Sequence, residues 1–318
     1  MLVIEKVHKI KRFLVREYQK RFTVVYPETY ILSDAFFIKQ MFRKKMKQKL
    51  NLRNPKTFCE KQNWLKLYDR RSIYTMMVDK YMVRDFVAQK VGEEYLVPLI
   101  GVWDDAEKID FVQLPDKFVL KCNHNSDVFI CTDKSVVDIE VIQKKMKAQL
   151  SDDYYLRKRE WPYKNVKRRI ICEKYMENFD GSEPLEYKVF CFGGVPKYII
   201  VISGRFSGRD LTMDTYDEEW HYTDLINGDC PRAGNIYLKP DFLEEILTVS
   251  RNLSENIPFV RVDFNYWNRK LYFGELTFFD AAGFEKYQPE SWDYHLGSLI
   301  ELPKKCRRKL WNKNGQRL

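Results

Sequence analysis

The chain has 318 residues, 45% hydrophobic and 31% charged, and a formal net charge of +10. This composition is ordinary for a globular protein and excludes a wholly disordered, collagen-like or fibrous chain. No stretch approaches the roughly 20 apolar residues of a membrane-spanning helix, and charges interrupt the N-terminus too often for a signal peptide. Seven cysteines without C-x-x-C spacing indicate free thiols in a reducing cytoplasm.

The positive charge is confined to the two ends of the chain. Residues 1–50 carry 13 Lys and Arg against 4 Asp and Glu, and residues 301–318 carry 7 against 1. The central residues carry 35 against 40, which is unlike the basic face of a nucleic-acid-binding domain. We therefore expect no nucleic-acid partner.

Two basic amphipathic segments begin the chain. Apolar residues from Val3 to Tyr18 recur at helical spacing, and residues 34–50 form a second helical segment with Ser33 as its N-cap. Helices of this kind either attach to an anionic membrane surface or pack on the protein with their basic faces in solvent. The sequence leaves both interpretations open.

The central part mixes helical and strand-like patterns. Residues 205–237 are rich in Gly, Asp, Asn and Thr and are predicted to be long loops. Helices are predicted at residues 57–71, 73–91, 135–150 and 240–254. Strands are predicted at residues 117–123, 128–132 and 169–176, and hairpins at 185–203 and 259–279. Helices and antiparallel strands in mixed order predict an α+β fold.

The last hairpin carries the most informative pattern. A turn centred on Arg269 would place Asp263 opposite Glu275 and Arg261 opposite Thr277, with all four side chains on one face. Two carboxylates this close repel each other unless they are protonated or bridged by a cation. Oxygen ligands beside an Arg fit magnesium or manganese bound with phosphate. The alternative is a solvent-facing strand whose carboxylates pair with Arg261 and a nearby Lys.

Two lysines are candidates for phosphate contacts. Lys121 ends a predicted strand and precedes the polar turn HNSD, whose backbone N–H groups can face an anion. Lys80 lies in the segment VDKYMVRDF. Either lysine alone is typical of a solvated side chain, and only the hairpin singles them out.

Taken together, these segments resemble the ATP-grasp superfamily, and most closely its TupA-like branch, named for teichuronopeptide biosynthesis and met in bacterial surface-polysaccharide clusters. The resemblance rests on the segments DKYMVRDFV, FVLKCNHNSD, IICEKYM, EYKVFCFGGVPKYI, VRVDFNYW and YFGELTFFDAAGFEKY. It implies an ATP-grasp fold, in which two α+β subdomains clasp ATP. The implied parts are a helical extension at 1–56, an N-terminal part at 57–175, a C-terminal subdomain at 176–300 and a basic tail at 301–318.

The resemblance further implies a carboxylate–amine ligase, in which ATP phosphorylates a carboxylate and an amine attacks the acyl phosphate. Its implied ATP contacts are Lys80, Lys121, Glu173, Lys174, Tyr175, Met176 and Glu186. Its implied ligands for magnesium, with manganese as the alternative, are Asp263, Glu275 and Thr277. Its implied catalytic residues are Arg261 and Lys121. Arg205 and Arg209 follow a strand and are additional candidates for anion contacts, Arg205 being included among the catalytic residues.

This sequence departs from the ligase pattern at three places. Thr277 stands where an Asn ligand is usual, and the phosphate loop NHNSD contains no Gly. Asp127 in that loop would repel phosphate, so it must point away or pair with a cation. The run FFDAAGF replaces a Pro- and Gly-containing form, which puts the loop around Gly283 in question as an acceptor-binding element.

The resemblance implies a substrate class that the composition does not show. An amino acid or another amine would be joined to a carboxylate of a sugar or polymer during surface-polysaccharide biosynthesis. The reaction would occur in the cytoplasm, with the basic ends touching the inner face of an anionic membrane. Three alternatives stay open: an ATP-grasp kinase acting on a sugar hydroxyl, a glycosyltransferase, although no D-x-D motif is present, and a non-catalytic basic adaptor.

Overall fold

The computed structural model describes residues 33–182, 184–205, 210–234 and 236–304. The predicted helix around residues 3–18, residues 305–318 of the basic tail and Arg209 lie outside this part of the chain. Within it, no helix has both the length and the apolar character needed to cross a membrane. The six cysteines in it are all free thiols, as the sequence predicts.

The first helix packs on the protein through its apolar side. Its cap is the predicted one, because Ser33 Oγ accepts a hydrogen bond from Phe36 N at 3.3 Å. Ile38 and Phe42 are buried, whereas the basic side chains of this helix are exposed. The helices in the described residues are α1 Asp34–Met46, α2 Phe58–Tyr68, α3 Ile73–Val78, α4 Val83–Val91, α5 Ile139–Ser151, α6 Tyr154–Lys158, α7 Leu243–Leu253 and α8 Ser291–Ser298.

The strands form two larger antiparallel sheets and a two-stranded ribbon. A four-stranded sheet has the order β1-β4-β2-β3, a five-stranded sheet has the order β10-β9-β5-β6-β7, and β8 pairs with β11. The strands are β1 Leu99–Trp103, β2 Phe118–Cys122, β3 Val128–Cys131, β4 Ile170–Lys174, β5 Leu185–Phe192, β6 Val195–Ser203, β7 Thr212–Asp217, β8 Ile226–Asn227, β9 Phe259–Trp267, β10 Lys270–Thr277 and β11 Tyr287–Gln288.

We call the four-stranded sheet the small sheet and the five-stranded sheet the large sheet. Each has its own hydrophobic core. The small sheet packs alternate residues such as Phe118 and Leu120 against Ile142 and Met146 of α5. The large sheet packs against α2 and α7, and the ring of Phe58 lies 4.8 Å from that of Phe259. Successive residues of central strands are buried on both faces, such as Ile199 and Ile200 on β6 and Ile170 and Ile171 on β4, so polar side chains occupy only part of each opposite face.

Three predicted elements differ from the observed ones. The predicted helix 73–91 is two helices, because Asp79 Oδ1 accepts the N–H groups of Tyr81 and Met82 and starts α4 anew. The predicted loop 205–237 contains β7, whose Thr212 and Asp214 pair with β6. The helix predicted from residue 135 begins at Ile139, because Asp138 is the residue that caps it.

Candidate active site

The register of the last hairpin brings two carboxylates together. Asp263 pairs with Glu275 and Arg261 pairs with Thr277, as the sequence predicts. On the adjacent strand Lys188 pairs with Asp263. These side chains therefore share one face of the large sheet, while the alternate residues of the hairpin are buried in its core.

The pairing is the predicted one, but the turn that produces it differs from the predicted turn. The turn is a two-residue one, with Asn268 and Arg269 both at positive φ (50° and 64°), and Phe264 pairs with Phe273. An undisturbed ladder from this turn would place Gly274 opposite Asp263. Gly274 is instead absorbed in a β-bulge, which delivers Glu275 to that position.

The carboxylates on this face are held by a connected set of cations. We call Lys80, Lys188, Arg261, Asp263, Glu275 and Asp280 the hairpin cluster. The Arg261 guanidinium donates two hydrogen bonds of 2.6 Å to Asp263 and one to Asp280. Lys188 Nζ lies 3.0 Å from Asp263 Oδ2, and Lys80 Nζ lies 2.9 Å from Glu275 Oε2. Three cations thus balance three carboxylates.

The helix break between α3 and α4 delivers Lys80 to this cluster. Lys80 N donates to Asn123 O at 3.0 Å, and Lys80 Nζ donates to Asn125 O at 2.9 Å. The predicted phosphate loop after β2 therefore contacts the hairpin through this one lysine. Asp127, in the same loop, pairs with Arg157 at 3.7 Å, in line with the expectation that it needs a cation.

The electrostatics of the cluster favour charged side chains. Burial alone would raise the pKa of Glu275, but the charges of Lys80 and Arg261 outweigh it and hold that pKa well below its ordinary value. Burial acts to lower the pKa of Arg261, and the charges of Asp263 and Asp280 raise it well above its ordinary value. The cluster thus keeps the Glu275 carboxylate ionised.

A cavity of about 150 Å³ opens beside the hairpin cluster. Four of the predicted residues line it, namely Lys80, Arg261, Glu275 and Thr277. The remaining wall comes from the loop after β2, from the segment between α5 and β4, and from the loop after β10. Its other lining residues are Asn125, Ser126, Tyr154, Lys158, Glu160, Tyr163, Phe279, Ala281 and Ala282.

A second group of ions lies on the polar face of the small sheet. Lys121 Nζ is 2.6 Å from Glu173 Oε2, and Arg84 Nη1 is 3.7 Å from Glu173 Oε1. We call Arg84, Lys121 and Glu173 the small-sheet cluster. None of the three lines the cavity described above.

The remaining predicted residues lie near the end of β4 and on β5. Lys174 is exposed and its N–H donates to Pro98 O, while Tyr175 and Met176 are half-buried. Glu186 Oε1 is 2.5 Å from Arg205 Nε, so these two residues pair with each other outside the cavity lining. Their predicted roles in ATP binding and catalysis stay predictions.

The loop after β10 is strained and firmly anchored. Ala281, Ala282 and Gly283 all have positive φ (44°, 58° and 71°), a conformation that costs energy for alanine. Asn63 Nδ2 donates to Gly283 O at 2.6 Å, and the fully buried Lys66 donates to Ala282 O at 2.6 Å. Backbone strain held in place by buried side chains at a cavity wall is typical of a functional loop.

Several residues of this site were missed in the sequence. Lys188 could have been found, because it lies two residues after Glu186 and shares its strand face. Asp280, Glu160 and Lys66 carry no local signal, because only the tertiary fold brings Glu160 to the cavity, Asp280 to Arg261 and Lys66 to the loop after β10. Burial raises the pKa of Glu160, which the charge of Lys66 opposes.

The residues present fit a magnesium ion held together with phosphate. The described residues contain no group of three or more His, Cys, Asp or Glu suited to holding a metal. Asp263 and Glu275 supply two opposed carboxylates, and Thr277 Oγ1 lies 3.2 Å from Glu275 Oε1. Magnesium is commonly bound by one or two carboxylates, with phosphate and water completing its shell.

A comparison with protein families decides the classification. The model of the TupA-like ATP-grasp family matches residues 60–301. The chain belongs to the TupA-like ATP-grasp family. The ATP-grasp fold expected from the sequence is thereby confirmed. A search of curated proteins gave no match.

Solved ATP-grasp structures resemble this TupA-like chain only distantly. D-alanine–D-alanine ligase from Bacillus anthracis, complexed with ATP, is 17% identical, with a TM-score of 0.38 over 64% of this chain and 53% of that one. L-amino acid ligase from Bacillus licheniformis is 12% identical, with a TM-score of 0.42 over 69% and 48%. The TupA-like chain thus spans about half the length of these two ligases.

Proposed function

We propose that this protein is an ATP- and magnesium-dependent ligase that releases ADP and joins an amine to a carboxylate. The observation that carries the proposal is the hairpin cluster, in which Lys80, Arg261 and Glu275 line one cavity of an ATP-grasp fold. Asp263 lies directly opposite Glu275 in the hairpin. Phosphoryl transfer is accelerated mainly by positioning and by positive charge around the transferred group. The cluster supplies both.

The proposed reaction has two steps. A carboxylate oxygen of the substrate bonds to the γ-phosphorus of ATP, and the bond from that phosphorus to the β,γ-bridging oxygen breaks, releasing ADP. The amine nitrogen then attacks the acyl carbon, inorganic phosphate leaves, and the amine loses a proton as the amide forms. Lys80 and Lys121 would contact the ATP phosphates, and Arg261 would stabilise charge on the transferred phosphoryl group.

A bound magnesium ion would be held by Asp263 and Glu275, with Thr277 as a neutral third oxygen. It would supply charge neutralisation for the phosphate oxygens. For the rest of the nucleotide we propose the backbone groups of the segment Glu173–Met176 at the adenine and the Glu186 side chain at the ribose. Arg205 pairs with Glu186, so we propose that it acts near the nucleotide.

We further propose that the carboxylate belongs to a sugar or polymer and that the amine is an amino acid or a related compound. The support for this substrate class is the resemblance to the TupA-like branch. The exposed basic side of α1 supports contact with an anionic membrane at the cytoplasmic face. The free thiols of the described cysteines fit a reducing compartment.

Calorimetry of ATP binding in the presence of magnesium tests the proposal. We expect wild type to bind ATP with a Kd near 1 μM, about −8 kcal/mol. The double variant Asp263→Asn, Glu275→Gln removes both proposed metal ligands, so ATP binding should weaken at least tenfold and lose its dependence on magnesium.

The matched control removes two carboxylates that are paired with exposed lysines elsewhere. Asp104 pairs with Lys108 and Glu107 pairs with Lys147, and neither carboxylate lines the cavity. The variant Asp104→Asn, Glu107→Gln should bind ATP as wild type does. Binding of a nucleotide sugar by a wild type that ignores ATP would contradict the proposal and favour a glycosyltransferase.

A further inference from the structure

The segment between α6 and β4 places an additional carboxylate in the cavity. Arg159 ends α6 in the left-handed conformation (φ 60°), and its buried guanidinium lies over the rings of Phe37 and Tyr155. This anchored turn directs the next residue, Glu160, to the cavity wall. Glu160 takes no part in the two proposed reaction steps.

The Glu160 carboxylate is buried without a direct partner. The residue is only 9% exposed, and no hydrogen bond or ion pair joins its side chain to another described residue. Lys66 is the cation that acts on it most strongly. However, the ammonium group of Lys66 donates its hydrogen bonds to Asn63 Oδ1, Lys158 O and Ala282 O.

None of the other described cations that line the cavity forms an ion pair with Glu160. Lys80 contacts Glu275 and Asn125 O, Arg261 contacts Asp263, and the exposed Lys158 acts on Glu160 only through its charge. A buried carboxylate is unfavourable unless a cation and hydrogen-bond donors satisfy it. An ammonium group brings one positive charge and three N–H donors. A phosphate or carboxylate group would instead be repelled by Glu160 and attracted to the lysine and arginine.

We propose that Glu160 binds the ammonium group of the amine substrate in this cavity. The inference rests on the proposed function, because it places the second substrate of the same reaction. The cavity has a volume of about 150 Å³ and is partly open to solvent. It has room for the ammonium end of a primary amine, such as the amino end of an amino acid.

The test uses methylammonium, the smallest carbon-bearing probe of an ammonium site, titrated into the magnesium–ADP complex of the full chain. ¹³C NMR of the labelled methyl group reports binding, with sodium chloride holding the ionic strength constant. So small a ligand should bind with a Kd on the order of 10 mM. Tetramethylammonium, which has the charge but no N–H donor, should bind at least tenfold more weakly.

The variant Glu160→Gln keeps the shape of the side chain and removes its charge, so methylammonium binding should weaken at least tenfold. Asp152→Asn is the matched control: it removes a charge from the nearby turn between α5 and α6, but Asp152 already pairs with Arg157 at 2.9 Å and does not line the cavity. Methylammonium affinity in this control should change less than twofold. Unfolding temperatures would confirm that both variants are folded.

Magnesium–ATP binding is measured on the same samples. Glu160→Gln should keep this affinity within twofold, and a loss of magnesium-dependent ATP binding would overturn the inference by making Glu160 a metal ligand. Equal methylammonium binding to wild type and Glu160→Gln, or none to a wild type that binds ATP, would overturn the inference alone. A wild type that binds no ATP would overturn the proposed function itself.

Discussion

The hairpin cluster and the small-sheet cluster hold their charges differently. In the hairpin cluster three cations balance three carboxylates through several short contacts, and Arg261 alone joins Asp263 to Asp280. In the small-sheet cluster Lys121 and Arg84 share the single carboxylate of Glu173. A phosphate group can therefore add to the second cluster, whereas an ion entering the first must displace a partner that is already there.

The largest loss in the free energy of unfolding is expected when Arg261 is removed from the hairpin cluster. Arg261→Met leaves Asp280 and Asp263 without their shared guanidinium, and breaking such a buried pair costs about 3–5 kcal/mol. The free energy of unfolding in urea measures this loss. Lys90→Met, at an exposed pair with Glu255, is the control and should cost under about 1 kcal/mol. Equal losses of unfolding free energy in the two variants would show that the hairpin cluster stabilises the fold no more than a surface ion pair does.

A pH series probes the buried cation beneath the cavity. Burial lowers the pKa of Lys66 to about 7, from about 10.4 in the unfolded chain. Between these values the unfolded chain binds more protons, so the free energy of unfolding should rise with pH by at most about 1.4 kcal/mol per unit. Lys66→Met should lack this rise. Parallel stability curves for the two proteins from pH 7 to 10 would contradict the expectation.

Two glycines with the same φ allow the cost of backbone strain to be measured separately from the cost of a steric contact. Gly283 and Gly181 both have a φ of 71°. A Cβ added at Gly283 would lie 2.9 Å from Asn63 Nδ2, whereas a Cβ added at Gly181 would have no neighbouring atom within 4 Å. Gly181→Ala should cost about 1 kcal/mol of unfolding free energy through its backbone alone, and Gly283→Ala about 2 kcal/mol or more. Equal losses of unfolding free energy in the two variants would show that the loop after β10 can move to accommodate the added methyl group.

A smaller effect than that of Arg261→Met is expected in the small-sheet cluster. Glu173→Gln removes a buried carboxylate but keeps a polar amide beside Lys121 and Arg84, whose side chains are each 16% exposed and stay in contact with water. The free energy of unfolding should therefore fall by about 1–3 kcal/mol. Its affinity for ATP should stay equal or increase, because a phosphate no longer competes with that carboxylate. Calorimetry on this variant beside Glu275→Gln compares the two clusters directly. A larger loss of ATP affinity in Glu173→Gln would reverse the assignment of their roles.

Much of the hairpin could be predicted because strand alternation is a local property. Pairing Asp263 with Glu275 required only the approximate position of the turn, and the bulge at Gly274 compensated for a turn placed one residue away. The same alternation on β5 would have revealed Lys188. The family resemblance supplied the fold, which the α+β pattern alone left general.

The rest of the site depends on contacts between distant segments. Asp79 breaks a helix whose pattern looked continuous, and the break positions Lys80. Glu160 reaches the cavity only because Arg159 is anchored against residues more than a hundred positions earlier. No periodic pattern in the sequence marks such turns, so these residues were found only in the folded structure.

The contacts of Lys80 have a mechanical consequence. One side chain fastens the loop after β2 of the small sheet to the hairpin of the large sheet, so Lys80 is a tether between the two sheets. Replacing Lys80 by Met would uncouple the loop from the hairpin in the same step that removes the closer cation of Glu275. Arg261, at 3.7 Å, would then be the cation that remains beside this carboxylate among the described residues.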